Sequence, residues 1–107
     1  MTSNGGKDSM NHEQYVAAMS ALGYPREVAE DLIWLSKDPS DVVLRRNNFV
    51  PRGDGLYEIW IADERDYFRR VSTDDREFLG TLGEAYEFIY ERKRQWKEKQ
   101  ARMRGEA

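Results

Sequence analysis

Arginines interleaved with aromatic residues are the feature of the chain best suited to binding chemistry. The central part of the sequence carries Arg52, Tyr57, Glu58, Trp60, Tyr67, Arg69 and Arg70. Tyrosine, tryptophan and arginine dominate binding energies at protein interfaces, and arginine beside aromatic rings is also typical of nucleic-acid platforms. Carboxylates alternate with these arginines and would repel phosphate, so we predict that this set contacts a partner protein. In the alternative interpretation, the aromatic rings form the core and the arginines cover it.

Basic residues near the C-terminus form a second candidate site, for nucleic acid or for an acidic protein partner. Its members are Arg92, Arg94, Lys97, Lys99 and Arg102. Such a run can neutralise phosphates. The same cations also suit the negative C-terminal end of a helix, and they form pairs with glutamates four residues away. The sequence favours this second interpretation, a solvated helix end.

Residue combinations for catalysis or metal binding are scarce. The absence of cysteine excludes disulfides, thiolate metal sites and a cysteine nucleophile. The single histidine, His12, leaves little room for a metal centre or a catalytic triad, and we expect it at a helix start without a catalytic partner. Asp74, Asp75 and Glu77 fall in predicted turns, where aspartate is common for backbone reasons. We therefore predict a protein that is not an enzyme and has no cofactor or metal.

Patterns in the N-terminal part predict two helices that form a hairpin. Asn11 followed by Gln14 has capping-box spacing and begins a helix over residues 12–22. Pro25 begins a second helix, which ends near Lys37. The hairpin would position any side chains that the two helices carry.

One resemblance rests on this region. It is carried by Leu22-Gly23-Tyr24, Arg26-Glu27, Ala29 and Leu32-Ile33. These residues resemble the loop and second helix of ubiquitin-associated domains, and the resemblance would cover residues 12–46. The stretch that corresponds to the third helix ends in Arg45-Arg46-Asn47-Asn48, so we infer no ubiquitin-binding role from it.

The middle of the chain predicts a small antiparallel meander. Residues 41–46 could form a short helix or begin a strand, and we favour the helix. Strands are predicted at 48–52, 56–62 and 67–72. Gly53-Asp54-Gly55 is a strong turn signal between the first two strands. The second strand is apolar on both faces, which is typical of a central strand.

The last part of the chain predicts a long helix. Thr81 and Glu84 form a full capping box, and the helical pattern continues to about residue 100. Leu82, Ile89 and Trp96 recur at seven-residue intervals. This spacing is compatible with self-association, although it is more typical of a core-facing stripe.

Together these elements predict an α+β fold. It consists of an N-terminal helical hairpin, a three-stranded antiparallel meander and a long C-terminal helix. We expect residues 1–10 to be a disordered arm, residues 11–100 a single domain, and residues 101–107 a frayed tail.

The net charge conceals an uneven distribution. The 107 residues carry 17 Lys+Arg and 20 Asp+Glu, for a net charge of −3. The first 41 residues carry −4 and the last 27 carry +2. The acidic front could mimic phosphates only if its carboxylates lined up on an exposed ridge, so a polar helix face is favoured. With no targeting signal and no apolar stretch near the roughly 20 residues that cross a bilayer, we expect a cytoplasmic protein.

These observations predict a small non-enzymatic binding protein that occupies the surface of a partner protein or ribonucleoprotein. The profile of a small, acidic, cysteine-free domain resembles that of inhibitors encoded by phages and mobile elements, such as anti-CRISPR proteins, and that of bacterial immunity proteins. The alternative is a nucleic-acid-binding regulator that uses the meander arginines and the basic C-terminal helix. No membrane partner is expected, and the chain could be a monomer or a homodimer.

Overall fold

A computed structural model of the protein describes residues 10–62, 69–70, 72–73 and 76–105. The helices are α1 (His12–Ala21), α2 (Arg26–Asp31) and α3 (Leu82–Met103). The strands are β1 (Ile33–Leu35), β2 (Asn47–Pro51), β3 (Tyr57–Ile61), β4 (Arg69–Arg70), β5 (Ser72–Thr73) and β6 (Arg76–Glu77). The predicted α+β fold is confirmed, with helices first, a sheet in the middle and a long C-terminal helix. The predicted N-terminal arm lies outside the described residues, except for Met10, which packs against the core.

Four strands form one mixed sheet in the order β1-β2-β3-β4. β3 pairs antiparallel with both β2 and β4, which gives the predicted meander. β1 adds a parallel strand on the other side of β2, and β5 and β6 form a separate hairpin. The third meander strand, predicted over 67–72, is shorter: β4 is only Arg69–Arg70, Ser72 belongs to β5, and residues 67, 68 and 71 lie outside the described residues.

The second helix is shorter than predicted, because it ends at Asp31 instead of near Lys37. Residues Ile33–Leu35 form β1 instead. Their branched and aromatic side chains favour a strand, and β2 supplies hydrogen-bond partners for their backbone. The N–H and the side-chain amide of Asn47 both donate to the Leu32 carbonyl, at 2.8 and 2.9 Å. Pairing with a strand distant in sequence therefore overrides the local helical pattern.

The short helix predicted over residues 41–46 is also wrong, and a loop replaces it. The fully buried side chain of Asn48 holds this loop. Its Oδ1 accepts from the Val43 N–H at 2.7 Å, and its Nδ2 donates to the Val43 and Arg46 carbonyls at 3.0 Å each. Residues 32–46 are all described and contain no helix, so the third helix of a ubiquitin-associated domain is not formed.

The core lies between the helices and one face of the sheet. Phe49 and Ile59 are paired across β2 and β3, and both are completely buried. Tyr15 and Met19 of α1 and Tyr86 of α3 pack against them. Burial of each such side chain stabilises the fold by about 1.5–3 kcal/mol. This core fixes α3 across the sheet.

α3 begins at the predicted capping box. The Thr81 hydroxyl accepts from the Glu84 N–H at 3.2 Å, and the Glu84 carboxylate accepts from the Thr81 N–H at 2.8 Å. Immediately before the cap, the backbones of Tyr57 and Gly80 exchange hydrogen bonds of 2.6 and 3.1 Å. This bridge attaches the start of α3 to β3. The helix then continues to Met103, beyond its predicted end near residue 100.

Candidate binding cleft

A cleft of about 550 Å³ lies between the C-terminal half of α3 and the end of the sheet where β2 begins and β3 ends. It is lined by Leu32, Arg45, Asn47, Ile61, Ile89, Arg92, Lys93, Gln95, Trp96 and Lys99. Four of these residues are lysine or arginine, and none of the described residues that line the cleft is acidic. We call this the basic cleft.

One wall of the basic cleft is a single face of α3. Arg92, Trp96 and Lys99 follow one another at intervals of four and three residues, which places them on the same side of a helix. The rise of 1.5 Å per residue makes the wall about 10 Å long from Arg92 to Lys99. Ile89, one turn earlier, is buried in the core and holds this face toward the sheet. The α3 wall therefore presents cations on both sides of an aromatic ring.

Arg45 forms the opposite wall from an unusual backbone conformation. Its φ of +69° is in the left-handed region, which costs a residue other than glycine about 1–2 kcal/mol. Two hydrogen bonds hold the loop in place: the Arg45 N–H donates to the Ala62 carbonyl at 2.8 Å, and Asn48 accepts from the Val43 N–H. The fold thus maintains a strained residue in the loop that lines the cleft. Such strain is typical of functional positions.

Trp96 is the largest exposed apolar side chain of the cleft. Half of its surface remains exposed, although it belongs to the stripe that also contains the buried Ile89. The sheet ends beneath it, because Asn47 and Ile61 are the terminal residues of β2 and β3 and both line the cleft. The Trp96 ring is therefore available to a ligand.

Aromatic rings help to position two of the cleft cations. The Arg92 guanidinium lies 5.6 Å from the centre of the Phe88 ring, and the Lys93 ammonium lies 6.0 Å from the centre of the Tyr24 ring. Cation–π contacts of this kind contribute about 0.5–1 kcal/mol at exposed sites. They orient the cations and leave their charge unneutralised.

The structure divides the predicted basic run into two groups. Arg92 and Lys99 line the basic cleft. Arg94 donates to Glu91 and Glu98 at 2.6 and 2.8 Å, and Arg102 donates to Glu98 at 3.2 Å. Lys97 lies 4.9 Å from the centre of the Tyr24 ring. The second group therefore belongs to the solvated helix surface that the sequence favoured, with Arg94 and Arg102 in ion pairs, and the first group forms a cleft wall.

The predicted meander set is not gathered into one patch. Tyr57 lies on the core face of β3, whereas Glu58 and Trp60 lie on the other face. Glu58 is buried, and its carboxylate accepts from Arg52 Nη1 at 3.0 Å and from Trp60 Nε1 at 2.9 Å. Glu58 thus neutralises the charge of Arg52.

The remaining members of the meander set are defined only in part. Backbone register places Arg69 opposite Ile61 and Arg70 opposite Trp60. Tyr67 lies outside the described residues. A role for this set in partner contact stays a prediction.

His12 has the partners that the sequence did not indicate. Its Nε2 lies 2.8 Å from a Glu30 carboxylate oxygen, and its Nδ1 lies 3.1 Å from the Tyr86 hydroxyl. In the neutral tautomer with its proton on Nε2, the imidazole donates to Glu30 and accepts from Tyr86. Burial raises the pKa of the Tyr86 phenol, which keeps it a neutral donor. His12 is the first residue of α1, as expected, and its hydrogen bonds join α1, α2 and α3.

Arg26 extends this group on the surface of the hairpin. It donates to Glu13 at 2.6 and 3.2 Å and to Glu30 at 3.1 Å. The hydrogen bond from Arg26 lowers the pKa of Glu13, and the bond from His12, followed by that from Arg26, lowers the pKa of Glu30. We call His12, Glu13, Arg26, Glu30 and Tyr86 the hairpin network. Two carboxylates of the acidic front are thus engaged within the molecule.

Sequence reasoning missed Arg45, Lys93 and Trp96 as members of one site. The helical spacing of Arg92, Trp96 and Lys99 was a readable signal for the α3 wall. Arg45 stood out only as one of the central arginines, and no local signal placed it beside α3, because the loop that carries it was predicted to be a helix. Its position depends on the buried side chain of Asn48.

Within the described segments, no three histidine, aspartate or glutamate side chains come together in a way that could hold a metal ion. None of the described helices has the length and apolar composition for crossing a bilayer. No family model, curated protein or solved structure matches the chain.

Proposed function

We propose that this chain is a non-enzymatic binding protein that binds nucleic acid, free or displayed on a ribonucleoprotein, through the basic cleft. One observation carries the proposal: four cations converge on one concave site whose described lining contains no carboxylate. Concave walls of low dielectric focus the field of like charges and raise the local concentration of an oppositely charged ligand. Phosphate is the group that such a site attracts.

The charge distribution outside the cleft supports a localised site. The whole chain has a net charge of −3, so non-specific attraction of a polyanion to the entire surface is weak. The acidic hairpin repels phosphate, whereas the C-terminal segment attracts it. A nucleic acid is therefore oriented toward the cleft by the rest of the molecule.

Matched charge reversals test the proposal. Lys99→Glu removes a cation of the cleft, and Arg102→Glu makes the same change in charge at a position outside it. Fluorescence anisotropy with a labelled eight-nucleotide strand should show binding that weakens as salt rises. Loss of each phosphate contact should reduce the slope of log K against log salt by about 0.7.

We expect Lys99→Glu to lower the affinity at least tenfold and Arg102→Glu to lower it less than threefold. Equal effects of the two reversals would show that the cleft is not the site. Absence of binding by the unmodified protein at 50 mM salt would refute the proposed function itself.

A second candidate function is occupation of a partner protein's surface, as in inhibitors of the anti-CRISPR type or immunity proteins. Leu35 and Leu44 favour it, because both are large apolar side chains that stay about half exposed, and Leu35 lies on β1 at the edge of the four-stranded sheet. Exposed apolar side chains beside an edge strand are typical of a protein contact.

The two functions differ in their response to nuclease. A complex captured from a bacterial lysate on the immobilised protein should dissociate on nuclease treatment if the basic cleft holds nucleic acid. A stoichiometric protein partner that persists after nuclease, and that Leu35→Asp releases while Lys99→Glu does not, would favour the second function.

A further inference from the structure

We infer that the basic cleft is specific for single-stranded nucleic acid, with one base stacked on Trp96 and the flanking phosphates held by Arg92, Lys93 and Lys99. The inference rests on the proposed function and specifies its ligand. It depends on two properties of the cleft: the apolar surface among the cations and the length of the α3 wall.

The basic cleft is not only basic. Leu32 and Ile61 contribute apolar surface to it, and the half-exposed Trp96 ring lies between the cations of α3. A ligand that is purely anionic, such as free phosphate or a sulfated polymer, would leave this apolar surface in water. A nucleotide matches both components, because its base is a flat apolar surface and its phosphate is an anion.

Stacking on Trp96 requires a base whose face is accessible. In a duplex the faces of the bases are covered by their neighbours, and only base edges and phosphates are exposed in the grooves. In a single strand the bases can be splayed out and stacked on aromatic side chains. The exposed ring therefore favours a single strand over a duplex of the same charge.

The dimensions agree with a short stretch of single strand. The α3 wall is about 10 Å long, which suits a contact with a few nucleotides. The cleft volume of about 550 Å³ is that of a pocket for small ligands. Arg92 and Lys99 lie on either side of Trp96, which places cations along the strand before and after the stacked base.

Competition between strands of equal charge tests the inference. The probes are an eight-nucleotide oligothymidylate, the corresponding oligouridylate, and a hairpin duplex with the same number of phosphates. We expect each single strand to bind at least tenfold more tightly than the duplex. Whether the deoxy or the ribo strand binds more tightly identifies the natural sugar, and heparin as a competitor measures the purely ionic contribution.

Variants of Trp96 provide the decisive measurement. Trp96→Ala should lower the affinity for single strands roughly tenfold to hundredfold, the range for loss of one base–aromatic stack, while duplex binding changes less than twofold. Trp96→Phe should retain most of the affinity. Met103→Ala, at an exposed position on the same helix outside the cleft, is the control and should change nothing.

The outcomes separate the inference from the proposed function. If single strands and duplex bind equally and Lys99→Glu weakens both, the basic cleft binds polyanions and the single-strand inference is overturned. If Trp96→Ala leaves single-strand affinity unchanged while its thermal unfolding matches that of the unmodified protein, the inference is overturned as well. If none of the three probes binds, the proposed function fails.

Discussion

The hairpin network and the basic cleft use the same kinds of charged residue in opposite ways. In the hairpin network Arg26 is hydrogen-bonded to two carboxylates. His12 is hydrogen-bonded to one of these carboxylates and to the buried hydroxyl of Tyr86. In the basic cleft four cations share a concave surface that the described carboxylates do not line. The network has internal partners for its charges and connects three helices. In the cleft, Arg92 and Lys93 lie beside aromatic rings and no described carboxylate lines the surface, which makes it the better candidate for a ligand.

The comparison shows why a count of charges along the sequence does not locate a binding site. The central arginines looked favourable for binding, yet Arg52 is bonded to a buried Glu58. Conversely, the basic run looked like an ordinary helix surface, and two of its members line the cleft. Neutralisation in three dimensions decides which cations can act on a partner.

The largest expected effect is the loss of stability when Tyr86 is replaced, because this residue belongs to the core and not to the basic cleft. The centre of its ring lies 5.2 Å from the centre of the Tyr15 ring and 5.4 Å from that of the Phe49 ring, and the residue is almost completely buried. Tyr86→Ala should therefore lower the free energy of unfolding by about 3–5 kcal/mol, through lost packing and a cavity. Urea denaturation followed by circular dichroism measures the loss.

Two matched variants make this prediction specific to the network. Tyr86→Phe keeps the ring and removes only the hydroxyl bonded to His12, so it should cost about 0.5–1.5 kcal/mol. Lys99→Glu in the cleft should change the unfolding free energy by less than about 0.5 kcal/mol, as is usual for surface positions. If Lys99→Glu were as destabilising as Tyr86→Ala, the division between a structural and a binding region would be wrong.

A smaller effect tests whether the strain at Arg45 serves the cleft. Arg45→Ala removes the cation and keeps the left-handed backbone, whereas Arg45→Gly removes both the cation and the steric cost. The glycine variant should be more stable than the alanine variant by about 1 kcal/mol. Both should bind a single strand with the same affinity, because both lack the guanidinium.

Urea denaturation and fluorescence anisotropy on the two variants distinguish the contributions. A glycine variant that is no more stable than the alanine variant would show that the backbone is not strained. Unchanged strand affinity in both would remove Arg45 from the binding surface and leave α3 as the only cationic wall.

Much of the fold could be predicted from local sequence signals, and the position of the site could not. Both capping boxes, at Asn11 and at Thr81, begin helices where expected, because the cap residue and the third residue of the helix interact locally. The strand β1 depends on pairing with β2, which begins twelve residues after β1 ends. The loop before β2 depends on a buried asparagine. Since the position of Arg45 depends on these non-local contacts, the sequence indicated only the α3 wall of the cleft.

The smallest expected effect concerns the pH dependence of the hairpin network. The pKa of Glu30 is lowered in the folded protein, chiefly by the hydrogen bond from His12, and the pKa of Glu13 is lowered by Arg26. A carboxyl with a lowered folded pKa stabilises the protein above its unfolded pKa of about 4.3, and this contribution is lost as pH falls through the folded value. The urea midpoint should therefore decrease as the pH is lowered below about 5. Glu30→Gln should start from a lower midpoint and show a shallower decrease, whereas Lys99→Glu should not remove the decrease. An unmodified protein whose midpoint stays constant down to pH 3 would show that the network's hydrogen bonds do not contribute to folding, and the contrast with the cleft would then rest on geometry alone.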